Sequence, residues 1–195
     1  MNPQMYAPIV PSTAARVEAM RRGIRPRPMT RIAVVFGTIF SLGLSWLAAP
    51  ALALDAGARL PEIGLTDMRG TRVDAAALKG KVVIVDFWAS WCAPCKEEMP
   101  VLERLYKKYK ARGLVIVGVS VDQELGNVKS FLKQLPVSFN IVHDADHKVA
   151  GRFKPPRMPS SYVADRNGIV RHVHAGFRDE DAAKLEAEVS ALLGK

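Results

Sequence analysis

Cys92 and Cys95 are the only cysteines in this 195-residue chain, so any sulfur chemistry falls within one Cys-x-x-Cys unit. That unit follows a hydrophobic run and opens a helical pattern, the setting of a redox pair rather than a staple. A bond between sulfurs three positions apart closes a very short loop and removes little freedom from the unfolded chain, so reversible bonding is the better use. At a helix N-terminus, unpaired backbone N–H groups and the helix dipole favour a thiolate on the first sulfur. Cys92 is therefore the expected nucleophile. Cys95, one turn in, is the expected resolving thiol, attacking a mixed disulfide from within the same molecule. Pro94 falls in the first turn, where its missing N–H costs nothing and its ring stiffens the link.

Asp86 is the second chemically informative residue. A carboxylate inside the run VVIVDF would be desolvated, and its pKa would rise toward neutrality. Six residues before Cys92, it would lie beneath the helix start and could take the proton from Cys95; the competing use is a strand-end aspartate facing solvent. Glu97 and Glu98 read as solvated first-turn residues that complement the dipole. His143 and His147 lie four apart in a loop-like stretch, and His172 and His174 share a strand face; these are expected to be surface histidines, with no metal bound.

The elements that must hold these residues alternate between strand and helix, which argues for an α/β sandwich with helices on both sides of a mixed sheet. Residues 81–88 form a nearly continuous apolar run, the mark of a strand buried on both faces. Residues 95–112 place Met99, Leu102, Leu105, Tyr106 and Tyr109 at helical spacing before Gly113, with Pro100 expected to kink the helix. Residues 114–121 read as a second buried strand and 128–135 as a short amphipathic helix. A short strand at 139–142, a helix at 148–153, strands at 161–164 and 169–174 joined by the turn Asp165-Arg166-Asn167-Gly168, and a closing helix at 179–193 complete the domain.

Residues 1–53 are a separate region. Residues 32–49 are an uncharged apolar stretch preceded by Arg25, Arg27 and Arg31 and followed by Pro50-Ala51-Leu52-Ala53, the pattern of an export signal, long enough also to serve as a membrane anchor. Met29 opens a better-formed signal than Met1, so either is a candidate start. The net charge of +9 is concentrated here: residues 1–53 hold six of the 28 basic and one of the 19 acidic residues, leaving +4 on residues 54–195. The remaining basic run, Lys107, Lys108, Lys110 and Arg112, suits a helix C-terminus, and no basic stripe with interleaved aromatics marks a nucleic-acid surface. Export would place the cysteines where disulfides form readily.

The segment VDFWASWCAPCK, residues 85–96, resembles the active-site segment of thioredoxin, including the Asp six residues before the first Cys. The export segment, the region 139–153 and the run MPSSYVADRNG, residues 158–168, resemble more closely the TlpA/ResA/CcmG group of exported or membrane-tethered thiol:disulfide oxidoreductases. The resemblance implies a thioredoxin-like fold with a TlpA-type insertion and a cis Met158–Pro159 bond packed against the cysteine pair. It also implies a substrate-contact surface of Trp91, Pro94, Met158 and Pro159, the backbone of Met158 pairing with substrate. No cofactor is required. The partners it implies are protein disulfide substrates and a membrane electron donor of the DsbD/CcdA type, with cytochrome c maturation as one candidate pathway. One departure is visible: the position of thioredoxin's lysine partner for the buried Asp falls on Gly118. A peroxidase of the same fold would need its cysteine in a Pro-x-x-x-Thr/Cys setting, and a copper-delivering Sco-like protein a Cys-x-x-x-Cys spacing; both remain as rival readings. Neither the direction of exchange nor the reduction potential follows from Ala93-Pro94 between the cysteines.

Overall fold

The run Val82–Trp88 (β3) is buried along its whole length, which only a strand with neighbours on both edges and layers on both faces can achieve. The computed structural model, which describes residues 54–194, places it at the centre of a five-stranded sheet. Leu114–Ser120 (β4) runs parallel to it on one side, with Asp86 opposite Gly118, and Ser160–Ala164 (β6) runs antiparallel on the other, with Asp86 opposite Ser161. Asn140–His143 (β5) extends the parallel edge and Val170–Ala175 (β7) the antiparallel one, with a register shift between Val163 and Ala164. The sheet is thus mixed, as expected. The expected signal or anchor at residues 32–49 lies outside the described residues, among which no helix is long and apolar enough to cross a membrane.

Helices cover both faces. Ala93–Tyr109 (α2) buries Cys95, Glu98, Met99, Leu102, Leu105 and Tyr109 along one stripe, the period-3.6 pattern of a core-facing helix. It is tied to the closing helix Asp181–Leu193 (α5) by Lys108 Nζ, 2.6 Å from Glu186 Oε1. On the opposite face Phe87 meets Phe153, at the end of Lys148–Phe153 (α4), with ring centroids 5.0 Å apart, and Tyr162 of β6 at 5.9 Å. Leu125–Gln134 (α3) packs Phe131 on Trp88, centroids 4.7 Å apart.

Several expectations shift by a few residues. The helix after the cysteines begins at Ala93 rather than 95 and ends as a 3-10 turn, Lys110–Arg112, before Gly113 at φ 97°. It continues through Pro100, which lies on its exposed side. The helix expected from 128 starts at Leu125, and that expected from 179 starts at Asp181. Three small elements precede β3 that the sequence pattern did not reveal: the antiparallel strands Leu65–Thr66 (β1) and Arg72–Val73 (β2), and the turn of helix Ala75–Leu78 (α1) capped by Asp74. Two-residue strands carry no periodicity to read. The β1–β2 hairpin lies along the outer edge of β5 through a bridge between Asp67 and Val142, covering an otherwise open edge.

Candidate active site

The chain leaves β3 at Trp88 and turns over four residues, Ala89 to Cys92, into α2, which puts the cysteines at the C-terminal end of the central strand. Cys92 is the N-cap residue: its backbone is extended, and its Sγ accepts a hydrogen bond from the Cys95 N–H at 3.3 Å. The two sulfurs are joined in a disulfide with Cα atoms 5.3 Å apart. Cys92 is 4% and Cys95 1% exposed, whereas the adjoining Trp91 is 70% exposed. The sulfurs are therefore shielded while an indole stands free beside them.

The turn is clamped from β4. Asp122, buried just past the end of that strand, accepts from the Ser90 N–H at 2.9 Å and the Ser90 hydroxyl at 2.6 Å, and also from the Ser120 hydroxyl at 2.8 Å. His143, at the end of β5, donates through Nε2 to the Asp122 carbonyl at 2.7 Å. Sequence reasoning passed over Asp122, because nothing in a single aspartate after a strand reveals that it reaches back 32 residues to Ser90.

Asp86 is where its position predicted, 1% exposed, and no cation accompanies it. Gly118 opposite it leaves no room for one: a Cβ there would sit 2.8 Å from Ile141 Cδ1 and 3.1 Å from Trp88 Nε1. Burial raises the Asp86 pKa to about 7, against the lowering effect of a hydrogen bond from Ser161. Ser161 Oγ lies 2.9 Å from Asp86 Oδ1 and 3.0 Å from Glu98 Oε1.

Glu98 corrects the sequence reading. It is not a solvated first-turn residue but 2% exposed, inside the α2 stripe, while Glu97 is exposed. Its pKa is pushed well up, first by burial and then by the neighbouring Asp86. The signal was present: Glu98 is three residues past Cys95 and beside Met99, on the face the apolar spacing assigns to the core.

The Met158–Pro159 bond is cis. Pro159 is buried and immediately precedes β6, whose first residue, Ser160, pairs with Phe87, so it lies at the same end of β3 as the cysteines. His174 departs from its expectation: it is a half-buried group, its Nε2 2.6 Å from Glu188 Oε2, with His172 Nδ1 3.4 Å from the other oxygen. A cavity of about 600 Å³ lined by Arg59, Ile63, Leu78, Val83 and Arg166 opens at the other end of β3 and contains none of these site residues.

Comparison with known proteins agrees with this geometry. Residues 56–173 match the model of the AhpC/TSA family. The thiol-disulfide oxidoreductase ResA of Bacillus cereus is 36% identical over 114 residues, a match covering 58% of this chain and 66% of that protein, just short of two thirds of its length. That of Geobacillus kaustophilus is 32% identical over 136 residues, covering 70% of this chain and 78% of the relative. A crystal structure of a thiol:disulfide interchange protein DsbE from Chlorobium tepidum superposes with a TM-score of 0.70 at 37% identity, covering 73% of this chain and all of that one. With a thioredoxin-like sheet, a Cys-x-x-Cys disulfide at the head of α2 and these relatives, the chain belongs to the AhpC/TSA family.

Proposed function

We propose that this protein is an exported thiol:disulfide oxidoreductase that reduces disulfides in other proteins. The observation that carries the reading is the Cys92–Cys95 disulfide at the start of α2, with the Cys95 N–H directed at the Cys92 sulfur. In the reduced protein the same N–H stabilises a Cys92 thiolate, aided by the dipole of a 17-residue helix. That thiolate attacks a substrate disulfide and displaces one substrate thiolate. Cys95 gives its proton to a buried carboxylate and attacks the Cys92 sulfur, releasing the second substrate thiolate and closing the Cys92–Cys95 bond. Asp86, with its pKa about 7, suits the proton-accepting role because it can be ionised and reprotonated near neutrality.

The exposed indole of Trp91, with Pro94, Met158 and the cis Pro159 at the same end of β3, is the surface assigned to substrate contact. Names of relatives favour disulfide exchange over peroxide reduction. Residues 32–49 direct or tether the domain outside the cytosol, where a membrane electron donor of the DsbD/CcdA type would return the pair to its dithiol form. Apocytochrome haem-attachment cysteines are a candidate substrate. With a chemical reductant supplied, insulin reduction should be catalysed by the wild type and lost in Cys92→Ser; equal inactivity of the two proteins would reject the reading.

A further inference from the structure

The end of the domain opposite the cysteines gathers exposed positive charge. Arg59, Lys79, Lys81, Lys110, Arg112 and Arg166 are all exposed, and the fold draws them to the N-terminal end of β3. Arg166 ties the group together: its Nη1 donates to the Gly80 carbonyl at 3.0 Å, between the two lysines, and its Nη2 to the Arg112 carbonyl at 3.1 Å. Arg59 bridges to Ile169, three residues past Arg166. Lys110 opens the turn that ends at Gly113, whose carbonyl accepts from the Val82 N–H at the foot of β3.

Two acidic residues share this end, and both are engaged. Asp165 Oδ2 lies 2.7 Å from Arg171 Nη2, and Glu62 Oε1 accepts from the Ala75 N–H at 3.3 Å. Among the described residues none of the six cations is ion-paired, whereas Lys107 and Lys108, earlier on α2, are bound by Glu103 and Glu186. The rest of residues 54–195 hold 16 basic and 16 acidic residues, so the whole excess of +4 belongs to this pole. Its cations are partly ordered in advance: Lys110 Nζ lies 5.7 Å from the Tyr106 ring centre and Arg112 Cζ 5.6 Å from that of Tyr109, which lowers the freedom lost on binding. Arg59, Lys79 and Arg166 also line the cavity of about 600 Å³, together with the apolar Ile63, Leu78 and Val83.

Unpaired cations around an apolar hollow match the chemistry of a phospholipid surface, where phosphates overlie acyl chains. The chain itself indicates where that surface is. With residues 32–49 read as a membrane anchor, only nine residues, 50–58, precede Arg59, a reach of at most about 32 Å. We propose that this pole docks on the anionic phospholipid headgroups of the membrane to which residues 32–49 anchor the chain. The inference rests on that part of the proposed function and adds a direction to it, since an anchor alone does not orient the domain behind it. Docking turns the Val82 end of β3 to the bilayer and leaves the cysteines about 20 Å farther out, at the end of a seven-residue strand. The exposed Trp91 then faces the aqueous side, from which protein substrates approach.

Partitioning of the full chain onto vesicles of phosphatidylcholine alone, or of equimolar phosphatidylcholine and phosphatidylglycerol, tests the proposal. Six arginines before residue 32 favour the mixed vesicles too, so a variant isolates the pole: Lys79→Gln/Lys81→Gln/Lys110→Gln, three exposed side chains outside the cysteine site. Each cation at an anionic surface contributes about fivefold in affinity, so the triple variant should lose about 100-fold of the preference for mixed vesicles. Its partition onto phosphatidylcholine should be unchanged. Amide exchange at residues 79–81 and 110–113 should slow on mixed vesicles in the wild type and recover in high salt. A triple variant with the wild-type preference, or pole amides that exchange alike on both vesicles, would overturn the proposal. Release by inorganic phosphate beyond that by chloride at equal ionic strength would also overturn it, marking a site for free phosphate instead. A wild type that ignores phosphatidylcholine vesicles would count against the anchor, and one inactive on insulin against the reductase reading; the ratio of variant to wild type on mixed vesicles decides the pole in either case.

Discussion

Asp86 shows how a single residue can be conspicuous in sequence and still have its neighbours hidden. A carboxylate amid five hydrophobic residues is anomalous on inspection, and burial follows from the strand it interrupts. Glu98 is equally legible by helical spacing, but a glutamate after a Cys-x-x-Cys also fits the helix dipole, and the two signals point to opposite sides of the helix. Ser161 could not be read at all, because its contact with Asp86 depends on the antiparallel register that puts it opposite that residue. The raised pKa of Asp86 has a thermodynamic consequence. Its carboxyl holds a proton more tightly in the folded state, about 7 against an ordinary 3.8. Its contribution to stability is therefore fully present below about pH 4 and is lost progressively as the pH rises toward 7. The loss amounts to roughly 4 kcal/mol at most. Denaturant unfolding of the oxidised protein from pH 4 to pH 8 should show a falling stability that Asp86→Asn makes shallower, the buried Glu98 supplying the rest.

At the scale of elements, the long and strongly patterned segments were readable and the short ones were not. The run around β3, the α2 stripe and the β6–β7 turn each carry their period in the sequence, whereas β1, β2 and α1 are too short to have one. The hairpin is held against β5 by the Asp67–Val142 bridge, and α1 by its Asp74 cap and its contact with β2. Position 118 shows element packing limiting chemistry: Gly118→Ala should destabilise by about 1 to 3 kcal/mol because Ile141, Trp88 and Phe139 already fill the space, measurable as a shift in the unfolding midpoint. On the opposite face Phe87→Ala should cost about 3 to 5 kcal/mol, since Phe153 and Tyr162 would border the cavity left behind. Asp122→Ala should release the Ser90 turn, leaving hydroxyl and N–H donors without their acceptor at a cost of about 1 to 3 kcal/mol. Amide exchange at Ser90 and Trp91 should accelerate in that variant while the centre of β3 stays protected.

For the molecule as a whole, the α/β class and the identity of the central strand followed from alternation and from one continuous apolar run. The layering that brings β3, β6 and α2 together around two carboxyls did not, because it depends on which strands become neighbours. The cysteine pair was the most legible part, since the chain has only two cysteines and they sit at one turn. The central claim is that Cys92 attacks and Cys95 resolves. Mass spectrometry of reduced Cys95→Ser mixed with insulin tests it directly: the account predicts an insulin chain linked through Cys92, released by reductant, and no adduct with Cys92→Ser. An adduct of equal yield on Cys95 in the Cys92→Ser protein, or none with Cys95→Ser, would contradict it.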